Sequence, residues 1–415
     1  MKSLTQCEAG NRARTVHCFR NLKGSPISQV PNPGNDLTYI PQTSPGALMN
    51  TEGGGGPFSI QGMPAWSNVY TLNGMTQNSM GFNDASTGAL NLLLGQNQIQ
   101  EATIVSNGYS GQFGRLAGTD ISFITKSGGS QFHGNAEYFW NGRILNANEY
   151  FNKQFGGSRP FVNANQWAAS LGGPIKKQKL FFFANTEGMT VILPIPMFVQ
   201  IPSPQFETAT LANIAESFGT DSSSYAFYKQ IFNLYDNATG AANAVPGNVA
   251  GGLGCSGFTG PDDLGVSVPC ARNYFTNLGR PSDESLVSGR LDWNIGKSDR
   301  MFFLLQYDHG YQASYIDPVT PIFNMESVQP WWQGQLSETH TFGSSSANQL
   351  LLAGWTLDSV FKVPDEARAR NAFPTQLAWN STGTFANIHT MNVHTPTLQM
   401  RNPHFLCGCA RYGVR

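Results

Sequence analysis

Few residues in this chain have the types and spacing that chemistry requires. Gly53–Gly56 and Gly128-Gly129 are its richest glycine runs. A phosphate-cradling loop needs Lys-Ser/Thr after its last glycine, and "TKSGG" has the reverse order, so both runs read as turns. "GYSGQFG", around Ser110, approaches but does not complete the GxSxG elbow of a serine nucleophile. His133 has no second His or Cys close by, which favours a hydrogen-bonding role over a metal. The cysteines fall as Cys7/Cys18, Cys255/Cys270 and Cys407/Cys409, and none has the spacing of a zinc site. Cys255 and Cys270 flank a Gly/Pro-rich segment and could close a loop as a disulfide in an oxidising compartment, or remain thiols. Glu101 and Arg115 are opposite charges that could pair across an interface or stand alone at the surface. These residues predict no enzyme, no metal and no cofactor.

Composition narrows the class. Charged residues are 12% of 415, while aromatics also reach 12% and glycines number 45. The charged share is about half the usual one. Few charges with many rings and glycines suit a β-rich protein whose surface is not all water-facing, such as an outer-membrane barrel. The net charge of −1 leaves no basic footprint for nucleic acid. The longest apolar stretch, "VILPIPMFVQIP", is short and broken by Pro194, Pro196 and Pro202. No helical span is expected, although barrel strands need only about 9–11 alternating residues each. The opening "MKSLTQCEAGNRARTVHCFRNLKG" has positive charges but no apolar signal core.

The elements that would position these residues are strands. From Phe58 to about Thr125, short pieces such as "FSIQGM", "NVYTLNGM", "EATIVS" and "DISFITKSG" are punctuated by Gly and Asn. A helical turn is expected near "GALNLLLGQNQIQEA", with Ala89, Leu92, Leu93 and Ile99 on its buried side. After Lys126 the strands lengthen. In "QFHGNAEYFWNG", Phe132, Ala136, Tyr138 and Trp140 share one face, and His133, Asn135, Glu137 and Asn141 the other. In "LVSGRLDWNIG", Val287, Gly289, Leu291, Trp293 and Ile295 alternate with Ser288, Arg290, Asp292 and Asn294. "RMFFLLQYDHG" sets Met301, Phe303, Leu305 and Tyr307 opposite Gln306 and Asp308. Short turns, "GKSDR" and "IKKQK", alternate with long connections, the longest over about 194–284, which is the asymmetry of an outer-membrane barrel. Alternation alone leaves a soluble β-sandwich or propeller open.

The stretch "GQNQIQEATIVSNGYSGQFGRLAGTDISFITKSGGSQFHGNAEYFWNG" resembles the Oar-like group of TonB-dependent outer-membrane receptors, as does "LGGPIKKQKLFFFANTEG". The resemblance covers roughly residues 26–360. It implies a mainly β fold, with a small α+β plug domain followed by an incomplete antiparallel transmembrane β-barrel. The plug would span 26–126 behind an uncertain leader, 1–25. First barrel strands and loops would span 127–376, and an uncertain stretch 377–415. Glu101, Tyr109, Phe113, Gly114, Arg115 and Gly118 fall in the plug motif. Thr125, Lys126, Ser127, Gly128, Phe132, His133 and Gly134 form the plug–barrel junction, with rings toward lipid and polar groups toward a plug-filled lumen. The implied function is uptake of a bulky external ligand through the outer membrane, driven by a TonB-type energy-coupling protein. About 22 strands are usual in such transporters, so this chain reads as a fragment. A surface adhesive barrel without transport and a non-functional fragment are the alternatives.

Overall fold

The computed structural model describes residues 5–9, 16–24, 27, 33–49, 58–78, 88–90, 92–106, 117–154, 159–247, 269–343, 346–372, 378–379, 383–384, 391–401 and 404–406. The N-terminal part of the described chain, up to Thr125, builds a small domain from β1 (Thr5–Ala9), β2 (Val16–Lys23), a separate hairpin of β3 (Ala47–Met49) and β4 (Phe58–Ile60), then β5 (Val69–Leu72), β6 (Met75–Thr76), β7 (Ile99–Ser106) and β8 (Asp120–Thr125). Its main sheet has six strands in the order β1-β2-β7-β8-β5-β6, with β5 and β8 parallel. β2 lies in the stretch that the sequence assigned to a leader. It pairs with β7 from Cys18↔Ser106 to Lys23↔Glu101, so the small sheet begins ahead of residue 26.

Local chemistry accounts for these elements. Asn73 and Gly74 join β5 to β6 with φ of 50° and 88°, the left-handed pair that a tight hairpin turn requires and that Asn-Gly adopts at low cost. In β8 the period of two holds: Ile121, Phe123 and Thr125 are buried and Ile124 is exposed. The buried side chains join Leu22, Phe58, Tyr70, Leu72, Ile99 and Ile104 in one core, where Phe58 and Tyr70 meet edge to face at 6.4 Å. The helical turn expected before β7 is a single 3-10 turn, Gln96–Gln98, with Ala89, Leu93 and Ile99 buried beside it and Leu92 partly buried.

The remainder, from His133 onward, is organised as one large antiparallel sheet. Its strands are β9 (His133–Gly142), β10 (Asn163–Lys176), β11 (Leu180–Pro202), β12 (Val245–Pro246), β13 (Ala271–Asn294), β14 (Asp299–Tyr315), β15 (Met325–Val328), β16 (Trp331–Phe342) and β17 (Ser346–Lys362). A small pair, β18 (Ala378–Trp379) and β19 (Gly383–Thr384), precedes β20 (Met391–Arg401) and β21 (His404–Leu406), which both pair β17. The long strands run β9-β10-β11-β13-β14-β16-β17-β20. Among the described residues β9 pairs only β10, so the barrel wall is open. Tight turns join β10 to β11, β13 to β14 and β16 to β17 at one end, and long connections lie at the other.

The faces follow the alternation. Val287, Leu291, Trp293, Phe303 and Leu305 are exposed outside, whereas Ser288, Leu304, Gln306 and Asp308 are buried inside. In β9, Tyr138 and Trp140 are exposed on the outer face and donate hydrogen bonds to Asn165 and Asn163 of β10. Phe139 is an exception, exposed on the Asn135 side.

The long loop is shorter than expected, and its described part is helical. β11 continues to Pro202 and β13 begins at Ala271, paired without a break. Three prolines fit because of their parity. Ser203 N–H donates to the Cys270 carbonyl, so odd positions bond toward β13 and even positions, Pro194, Pro196 and Pro202 among them, face away from it. β10 ends opposite Ile192. The missing N–H groups therefore fall on an unpaired edge, where proline costs no ladder bond. Between the two strands lie the helices Pro204–Phe218 and Ser223–Asp236, capped by Ser203 and Ser222. Ile231, Phe232 and Tyr235 pack with Val199, Ile201, Tyr274, Val319 and Phe323. This core sits over the long-connection end.

Phe123 is fully buried at the centre of the small domain. Phe123→Ala is expected to cost about 3–5 kcal/mol, seen as a lower urea midpoint for protease protection of residues 33–125 with the strand signal of the large sheet retained.

Candidate functional site

The small domain docks on the inner face of the wall, and the contact centres on a run of side-chain amides, Gln96-Asn97-Gln98. Gly95 opens the run at φ 134°, where a Cβ would come within 2.6 Å of the Gln98 amide. Asn97 uses all its polar groups on its surroundings. Its backbone N–H donates to Glu187 Oε2 (3.3 Å) and its Nδ2 to Asn185 Oδ1 (2.7 Å). Its Oδ1 accepts from Asn135 Nδ2 (2.7 Å), and its carbonyl from Lys126 Nζ (2.7 Å). Gln98 accepts from Ser288 Oγ at 2.8 Å, and Gln96 turns inward to the Ile27 carbonyl at 2.7 Å.

Other seams use the same chemistry. Gln166 accepts from Gly34 N–H and donates to Asn35 Oδ1, while Gln335 donates to the Leu72 carbonyl and accepts from Asn73 Nδ2. Fully buried Glu284 reaches in from β13 to accept from Leu90 N–H at 2.8 Å. Gly88 leaves room for it, since a Cβ there would lie 1.8 Å from Glu284 Oε1. Two apolar contacts complete it, Met75 and Leu94 against Leu286, Trp331, Leu351 and Trp355, and Leu304 and Phe302 of β14 against the small domain's core.

The junction leads out of this site. Thr125 ends β8 with its N–H on Asn73 Oδ1 and its Oγ1 accepting from Arg290 at 2.6 Å. Arg290 is held by Asp292 at 2.7 Å and lies over the Phe302 ring. Burial draws the Lys126 ammonium below its usual range, and Glu187 and Glu137 oppose that shift. Ser127 is half-buried. Gly128 lets the link cross the wall backbone, because a Cβ would come within 2.3 Å of the Phe182 carbonyl, and Gly134 lets β9 lie close on β10, a Cβ there coming within 2.3 Å of the Ser170 carbonyl. Phe132 packs on Phe182 at 6.3 Å, and His133 is exposed with Nδ1 3.1 Å from the Gln131 carbonyl. In the plug motif, Glu101 pairs with Lys23 at 2.9 Å and accepts from Asn21, both within the small sheet. Gly118 donates to the Ser67 carbonyl, which a Cβ would approach to 2.5 Å. Tyr109, Phe113, Gly114, Arg115 and Cys255 lie outside the described residues. Cys270 is disulfide-bonded.

Sequence reasoning passed over Asn97, Glu187 and Glu284. The available signal was three consecutive amides after a glycine, and carboxylates on the inward parity of wall strands.

A sheet with an aromatic outer face, a polar inner face and a domain docked inside it is a plugged barrel wall. Residues 124–405 match the outer membrane beta barrel domain family. The chain belongs to that family. Over 150 residues, 35% of this chain and 13% of the relative, it is 31% identical to the TonB-dependent transporter Oar of Myxococcus xanthus. Its fold is similar to the ferric enterobactin receptor of Pseudomonas aeruginosa (TM-score 0.54, 12% identity, 94% of this chain and 46% of that one). It is similar also to the outer membrane transporter YddB of Escherichia coli (TM-score 0.56, 11% identity, 92% and 45%). The chain thus spans less than half the length of these relatives. Family membership places it among the β-barrel proteins of the outer membrane.

Two predictions follow the geometry. Asp36 is buried with Oδ1 accepting from Thr38 and Leu93 N–H, and burial, the dominant effect, pushes its carboxyl up to about 6. Its folded pKa exceeds the unfolded value, so its contribution is complete below about pH 4 and is lost as pH rises through about 6, by about 3 kcal/mol. Asp36→Asn keeps the acceptor and is expected to flatten stability against pH across that window in chemical denaturation. Gly88→Ala is expected to push the small domain off Glu284 at a cost of about 1–3 kcal/mol, read as faster proteolytic release of that domain.

Proposed function

We propose that this chain forms the plug and first wall strands of a receptor that takes up an external ligand through a plugged barrel, with a TonB-type protein supplying the energy. One observation carries the reading: beside two apolar contacts, the plug meets the wall through a set of amide and carboxylate hydrogen bonds centred on Asn97. Each such bond contributes only about 0.5–1.5 kcal/mol net, because water satisfies the same groups when it breaks. A plug so held is fixed at rest and movable under a modest pull. The folded cap over residues 203–247 stands at the end of the long connections and is suited to meeting the ligand. The ligand of the fold's neighbour, ferric enterobactin, makes an iron-chelate cargo one candidate class.

The test uses Asn97→Cys in the native outer membrane, with the unsubstituted chain as background for its own cysteines. A membrane-impermeant maleimide is expected to label position 97 faster in energised cells with ligand-containing medium, and a protonophore should abolish the difference. Equal labelling in both states would mean a static plug and leave the adhesive barrel as the better account.

A further inference from the structure

At the tight-turn end of the wall, β14 and β16 pair Asp299 with His340 and Met301 with Glu338. That register sets Asp299, Glu338 and His340 on one face of two adjacent strands. Each offers a ligand atom, and the three atoms lie within 4.8 Å of one another. His340 Nδ1 is 2.5 Å from Asp299 Oδ1, and the imidazole packs edge-on against Phe342 with centroids 4.2 Å apart. The face is the outer one, because Phe303, Leu336 and Phe342 share its parity and are exposed. Trp293, opposite Met301, is exposed on the same face. Tight turns mark the periplasmic end of such barrels, and aromatic residues mark the interface. The cluster is therefore in the inner rim of the wall, about one-third exposed at Asp299 and His340 (37% and 36%).

We propose that Asp299, Glu338 and His340 bind a divalent ion of the zinc type. Two carboxylates offset the double charge, and an imidazole with carboxylates is a donor set that suits zinc, with the fourth tetrahedral position open to water. Calcium would need six to eight oxygens, more than three side chains offer. The ligands stand on strands locked by backbone pairing, so little ordering remains for the ion to impose. Binding replaces the Nδ1···Oδ1 hydrogen bond with metal–N and metal–O bonds: a neutral imidazole keeps its one proton on Nε2, an imidazolium gives its second proton to solvent, and no oxidation state changes. The bound ion would tie β14 to β16 at the rim, independently of whether the barrel transports anything.

The experiment is calorimetric titration of the full chain in detergent with Zn²⁺ alone, its free cysteines alkylated beforehand. A single saturable class of sites is expected. His340→Ala and Glu338→Gln should each weaken it by at least the roughly 10–100-fold that loss of an outer-shell partner costs, with circular dichroism unchanged. Glu338→Gln alters only one exposed-face carboxylate and so separates ligation from folding. No uptake by the unsubstituted chain, or equal uptake by either folded variant, would overturn the site and leave a histidine–aspartate hydrogen bond.

Discussion

The structure depends on one constraint: a wall strand has to satisfy its backbone entirely through its neighbours while its two rows of side chains meet different surroundings. In hydrocarbon an unpaired amide costs several kcal/mol, so the ladder has to be continuous through the spanning part. Once it is, the period of two decides everything else. Trp293 and Phe303 are committed to the outside by the same register that commits Ser288, Gln306 and Asp308 to the inside.

An inner face built this way is largely polar, and the small domain meets it with polar groups around two apolar contacts. Its own core is apolar, with Phe58, Tyr70 and Phe123 at its centre. Its contact surface instead presents amides, with glycines where backbone or carboxylate comes close. Gly88 admits Glu284, and Gly128 carries the link across the wall. Met75 and Leu94 supply a small apolar anchor against Trp331 and Trp355. The balance is a snug but exchangeable fit, in which position comes from shape and hydrogen-bond geometry and little free energy is stored.

What was legible in the sequence was whatever repeats with a short period. The faces of β9, β13 and β14 could be read because each is decided within a few residues, whereas "NVYTLNGM", read as one strand piece, turns at Asn73-Gly74. Three other things could not be read. The pairing of β2 with β7 joins segments about 80 residues apart, and nothing local in "HCFRNLK" announces a partner. The run of β11 through Pro194, Pro196 and Pro202 looks like a break until it is known which side lacks a neighbour. Asn97 and the Asp299–Glu338–His340 group acquire meaning only from register, which brings residues from different strands together. Family likeness supplied the plug and wall in outline, where alternation alone had left a soluble sandwich possible.

The proline-bearing end of β11 has a consequence at the cell surface. Beyond Ile192 the strand stands clear of β10 and offers an edge to the exterior, where other extended chains pass. A bare edge there would be a template, inviting foreign strands to zip onto it. With Pro194, Pro196 and Pro202 on that side, the edge has carbonyls but lacks donors at every position the prolines occupy. It is insulated: chains that approach find no continuous ladder to extend, and the cap beside it stays available for whatever the barrel is meant to meet.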